Sequence, residues 1–188
     1  MNRKLYSKIS AKWKGQVYST YDRVAPRLKA IEPYLKLLTG KQVLEWGCNA
    51  GLFAYEISKY AACYTGVDKS EYCYKQALRT KKFIENPNVR FLFGRARDFC
   101  DVEYNAFISC YLLYHLHDDE LELLRTQVLP KCSVTINMIR TRKREAHNEL
   151  WKLDEAVKFI KGCGFETETK IHNDKYSTII GIRNDNQG

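Results

Sequence analysis

The chain has 188 residues, 45% of them hydrophobic, which is enough to bury the core of one domain and too many for a disordered chain. No apolar run approaches about 18 residues, and the start M-N-R-K-L-Y-S-K lacks a hydrophobic signal core, so the sequence predicts a cytoplasmic protein with no membrane partner. The net charge of +9 is concentrated: residues 1–41 carry ten Lys or Arg against two acids, and residues 139–152 carry five against two.

Seven cysteines, at 48, 63, 73, 100, 110, 132 and 163, form no C-x-x-C pair and read as small buried hydrophobes in a reducing compartment. The four histidines show no metal-ligand spacing, so no metal is expected.

From Tyr18 to Leu38 the apolar positions Tyr21, Val24, Ala25, Leu28, Ile31, Leu35 and Leu38 recur at three and four. This predicts an amphipathic helix, broken or kinked near Pro26 and Pro33 and ended by Gly40. With the polar residues before it, this makes residues 1–39 a basic helical cap or arm.

Gln42 to Phe53 reads Q-V-L-E-W-G-C-N-A-G-L-F. Strand-prone Val43 and Leu44 lead through the turn run Gly47-Cys48-Asn49-Ala50-Gly51 into a helix over 50–60, the strand-loop-helix geometry of a nucleotide site. Gly47 allows the sharp turn, Gly51 allows the following helix to start close beneath a ligand, and Asn49 tolerates the left-handed region. Glu45 at the strand end would repel a pyrophosphate but accept a hydrogen bond from an ammonium group. A dinucleotide loop of the form G-x-G-x-x-G fails here on spacing.

A second strand, Cys63 to Asp68, ends on an acid suited to accept from two ribose hydroxyls. A helix over Ser70 to Phe83, capped by Ser70, and the turn Asn86-Pro87-Asn88 lead to a third strand, Val89 to Phe93. Further strands are predicted at Ala106–Cys110, Ser133–Ile139, Glu166–Ile171 and Ser177–Ile182, with helices at Asp118–Val128 and Leu153–Lys161. Residues 184–188 are read as a frayed tail.

E-W-G-C-N-A-G resembles motif I of the class I S-adenosylmethionine-dependent methyltransferases, and T-G-V-D resembles their motif II. The resemblance spans residues 40–183 and implies an α/β fold. Its sheet is single, doubly wound, mostly parallel and seven-stranded, flanked by helices and closed by a C-terminal antiparallel hairpin under an N-terminal helical cap. It implies S-adenosylmethionine as cofactor, with Glu45 near its ammonium end, Gly47, Cys48, Asn49 and Gly51 in the loop, and Asp68 and Lys69 at the ribose. Ala96, Arg97 and Asp98 resemble the adenine segment, although Arg95 stands where relatives place an acid, and Cys110 and Tyr111 complete the cofactor set.

Methyl transfer needs an acceptor lone pair held in line with the methyl carbon, and a base mainly for hydroxyl or protonated amine acceptors. In Y-L-L-Y-H-L, His115 falls on the histidine of the family's L-x-H-L segment and is the candidate base, with Tyr111 and Tyr114 as alternatives that orient the acceptor. Packing is the plain alternative for all three.

Tyr18 and Tyr21 resemble the segment that closes over the cofactor, and the basic loop supplies Arg140, Arg142, Lys143 and Arg144 for an anionic part of the substrate. The reading is a methyltransferase for a small anionic metabolite, with RNA as the alternative acceptor and a non-catalytic binding module as a further alternative.

Overall fold

The computed structural model describes residues 11–13, 16–18, 20–99, 101–140, 153–173 and 176–183, with the backbone alone up to residue 23 and at Ala96 and Asn173. Arg142, Lys143, Arg144 and the tail 184–188 therefore lie outside the described residues, as do the side chains of Tyr18 and Tyr21. The chain divides into two compact units, Met1–Glu103 and Tyr104–Gly188.

The first unit opens with a hairpin that helical periodicity did not reveal. Strands β1 (Ala11–Trp13) and β2 (Gln16–Tyr18) pair antiparallel, Ala11 opposite Tyr18. Trp13, Val17 and Tyr18 favour strands, and only two residues separate the pair, so local β-propensity wins over the helical pattern that begins at Tyr18. Helix α1 (Thr20–Ile31) runs on through Pro26, where a break or kink was expected, and a 3-10 turn (Glu32–Leu38) takes over just before Pro33. Leu35 and Leu38 anchor that turn in the core.

Strands β3 (Gln42–Trp46), β4 (Cys63–Asp68) and β5 (Val89–Phe93) pair in parallel, Gln42 opposite Cys63 and Tyr64 opposite Val89. Val43 to Trp46 and Tyr64 to Val67 are continuously buried, as parallel strands covered on both faces require. Helix α2 is a single turn (Ala54–Ile57), shorter than the predicted 50–60 because the left-handed residues Asn49 and Gly51 delay its start. Helix α3 (Glu71–Lys81) is capped as expected, the Ser70 hydroxyl accepting from the Cys73 amide at 3.3 Å. The Asn86 side chain donates to the carbonyls of Ser58 and Ala61, both at 3.1 Å, and so fixes the approach to β5.

In the second unit β6 (Ala106–Cys110) and β7 (Val134–Arg140) are parallel, while β9 (Tyr176–Ile182) runs antiparallel to both β7 and β8 (Glu166–Asn173). Helix α4 (Asp118–Leu123) gives way to a π-helical turn (Leu124–Val128) where one continuous helix was predicted. Thr126 donates its hydroxyl to the Glu122 carbonyl at 2.7 Å, a back-bond that competes with the α-helical ladder. Helix α5 (Leu153–Gly162) buries Ala156 and Ile160.

The strand order is β5-β4-β3-β6-β7-β9-β8, a seven-stranded, mostly parallel sheet closed by an antiparallel hairpin. Among the described residues no helix is long and apolar enough to cross a membrane, and no group of three or more His, Cys, Asp or Glu could hold a metal ion.

Candidate functional site

The loop after β3 is shaped by three left-handed residues at alternate positions, Gly47 at φ 69°, Asn49 at φ 52° and Gly51 at φ 66°. The amides of Gly47 and Cys48 both donate to the Val67 carbonyl, at 2.9 and 3.1 Å, which binds the loop to the end of β4. Asn49 stabilises its own conformation, its side-chain oxygen accepting from the Ala50 amide at 2.8 Å. Gly51 has a second requirement, invisible to motif spacing. A Cβ there would lie 2.5 Å from two ring carbons of Phe91 on β5.

Helix α3 holds the loop from its other side. The fully buried Thr80 donates its hydroxyl to the Ala50 carbonyl at 2.7 Å. Neither Thr80 nor Phe91 carries a motif signal, since each acts through a contact that only the tertiary fold brings about.

Glu45 sits on β3 and is 2% exposed. The phenol of Tyr64, on β4, donates to its Oε2, and Oε1 has no hydrogen-bond partner among the described residues. Burial pushes the Glu45 carboxyl up to about 7, opposed by the Tyr64 hydrogen bond and reinforced by the nearby Asp68 charge. One oxygen of a buried carboxylate is thus engaged and the other is available to a donor.

Asp68, at the end of β4, accepts from the Asn49 amide on Oδ2 and the Ser70 amide on Oδ1, both at 2.8 Å. Each oxygen keeps a lone pair for a further donor, and the carboxylate also ties the loop to the start of α3. Burial raises its pKa, while the two amides and the Lys69 charge pull it down. Lys69 itself is exposed.

Cys48 contributes backbone to the loop but not its thiol. The side chain packs into the space left by Gly66, where a Cβ would come within 2.9 Å of the sulfur, and burial raises the thiol pKa well above its ordinary value. Ala96, Arg97 and Asp98 lie on a 3-10 turn (Ala96–Phe99). Asp98 accepts from the Arg95 amide at 3.1 Å, so in this structure its carboxylate caps its own turn, and both Arg97 and Asp98 are exposed.

In the second unit Cys110 ends β6, with its sulfur 3.8 Å from that of Met138. Tyr111 follows at φ 57°, an uncommon value for a non-glycine residue, with its amide bonded to the Met138 carbonyl at 2.8 Å. The Arg140 guanidinium, at the end of β7, lies 5.5 Å from the Tyr111 ring centroid, and Tyr176 packs edge-on to that ring at 6.5 Å. Tyr176 in turn stacks on His172 at 5.2 Å. Tyr111 and Arg140 are therefore brought together, with two aromatic neighbours that the sequence pattern did not single out.

His115 and Tyr114 occupy a 3-10 turn (Leu113–His115), their rings 4.4 Å apart, both half-buried. The histidine that opens helix α4 is His117, whose amide donates to Glu120 at 3.2 Å.

A family model described as a methyltransferase domain matches residues 43–129. No curated protein matches the chain in sequence. Among solved structures, magnesium protoporphyrin IX methyltransferase from Synechocystis PCC 6803 with bound SAH is 15% identical, with 97% of this chain and 92% of that chain covered and a TM-score of 0.67. The DhpI–SAH complex is 19% identical, with 88% and 86% covered at a TM-score of 0.65. The methyltransferase domain of bacterial CtHen1 is 17% identical, with 84% and 97% covered at a TM-score of 0.67. At such identities the likeness is one of fold.

Proposed function

We propose that this chain, whose residues 43–129 match a methyltransferase domain, is an S-adenosylmethionine-dependent methyltransferase that methylates a small anionic acceptor. The residues present fit the cofactor. Glu45 offers to an ammonium group the second oxygen of its carboxylate, which has no hydrogen-bond partner among the described residues, and Asp68 offers a lone pair on each oxygen to the ribose hydroxyls. Bound there, S-adenosylmethionine would supply an activated methyl group, carried on a positively charged sulfur, for transfer to an acceptor lone pair.

The chain's own part in the reaction is chiefly to bind and orient, because no protein nucleophile is required. His115 is assigned to accept a proton from a hydroxyl or ammonium acceptor, with Tyr111 and Tyr114 as alternatives that orient the acceptor. The observation that carries the acceptor class is Arg140. Its guanidinium lies over the Tyr111 ring at the end of β7, half-buried, where its planar fork suits a carboxylate or phosphate.

Arg142, Lys143 and Arg144 continue the basic sequence beyond it. RNA is the second reading, favoured by the ten cations of residues 1–41. Labelled methyl incorporation, screened over anionic metabolites and over RNA, tests the two together. The proposal expects a small carboxylate or phosphate to be labelled, and Arg140→Ala to raise its KM roughly tenfold or more while cofactor affinity holds. Labelling confined to RNA would replace the first reading with the second.

A further inference from the structure

Tyr64 stands outside every motif, yet it makes the one hydrogen bond that Glu45 receives among the described residues. It faces Val43 across the β3–β4 register, so it shares a sheet face with Glu45 two residues further along β3 and reaches it diagonally. Its ring is held by an edge-on contact with Phe91 at 5.8 Å, and the residue is 0% exposed. Among the described residues, the remaining titratable groups around the Glu45 carboxyl are Cys48 of the loop and Asp68 at the end of β4, and neither is cationic. The phenol is therefore the group that fixes this carboxylate.

We propose that Tyr64 is a positioning residue for the amino-acid end of the cofactor: by occupying Oε2 of Glu45 it leaves Oε1 to accept from the ammonium group. The inference rests on the reading that Glu45 receives that group. Its chemistry is specific to an oxygen donor at this place. A carboxylate taken from water needs hydrogen bonds to stay charged, and Tyr64 supplies one without introducing a competing cation. Removing the phenol leaves burial and the Asp68 charge unopposed, so the carboxyl would protonate at higher pH and hold an ammonium less well near neutrality.

The test is calorimetric titration of S-adenosylhomocysteine into wild type, Tyr64→Phe and Glu45→Gln from about pH 6 to about pH 9. The ratio of dissociation constants between variant and wild type cancels the ligand's own titration. For Tyr64→Phe that ratio should be roughly three- to tenfold near neutral pH and fall toward one as pH rises. A ratio that does not vary with pH would mean that Tyr64 only packs, and would overturn the proposal.

An analogue of the ligand without its amino group should bind wild type and Tyr64→Phe equally, and a difference between them counts against the proposal. If Tyr64→Phe does not fold, the same analogue decides in wild type: its affinity should lose the pH dependence shown by the parent ligand, and retaining it overturns the idea. Tight binding by Glu45→Gln, equal to wild type, would instead remove the assignment of Glu45 to the ammonium, on which the role of Tyr64 depends.

Discussion

At Gly51 two demands meet on one residue: a left-handed backbone at φ 66° and the Phe91 ring where a Cβ would stand. Gly51→Ala should cost about 1–2 kcal/mol for the backbone and a further 1–3 kcal/mol for the overlap. In urea unfolding, adding Phe91→Leu should return only the second part. The need for glycine here was legible in the sequence, but its packing reason was not, because the partner is a residue of another strand.

Glu45 makes a second prediction at this scale. Its folded pKa of about 7 exceeds the ordinary 4.5, so the folded state holds the proton more tightly. Stability from this group is therefore fully present below about 4.5 and is lost as pH rises through about 7, a change of roughly 3 kcal/mol. Comparing unfolding at about pH 5 and about pH 8, Glu45→Gln should flatten that part of the pH profile.

Among the elements, those set by burial were legible and those set by local competition were not. Strands β4, β5 and β6 begin and end where the sequence places them, and β5 shows why: it is a short, mostly apolar run set between Asn88 and Gly94. The β1–β2 hairpin lies beneath a helical periodicity that extends from Tyr18, and the π-turn after α4 arises from one threonine back-bond that a period of 3.6 does not encode.

Helix α3 supports the loop after β3 through Thr80, whose hydroxyl donates to the Ala50 carbonyl. Thr80→Val should leave that carbonyl unpaired and cost about 1–3 kcal/mol, while Thr80→Ser, which keeps the hydroxyl, should lose less. Measured affinity for S-adenosylhomocysteine should fall in the valine variant and be largely retained in the serine variant.

For the whole molecule, charge is the property that separates the acceptor readings. The excess of +9 lies mainly in residues 1–41 and 139–152. A metabolite enzyme should bind RNA weakly and lose that binding at moderate salt, whereas an RNA enzyme neutralising several phosphates should show a steep, linear fall of log affinity with log salt.

The methyltransferase resemblance and the two carboxylates proposed to hold the cofactor were readable from two short motifs, because strand order and spacing agree with them. The tertiary contacts of those carboxylates, Tyr64 to Glu45 and Asn49 to Asp68, depend on strand register and loop closure.

The most direct measurement is a calorimetric titration of S-adenosylmethionine into wild type and Asp68→Asn. The variant keeps one oxygen for a backbone amide and loses the charge proposed to accept from the ribose. Wild type should bind saturably, and the variant should lose roughly tenfold to a hundredfold in affinity, the scale of hydrogen bonds to a charged group. Equal affinity in the two proteins, or no binding of S-adenosylmethionine to wild type, would contradict the cofactor assignment.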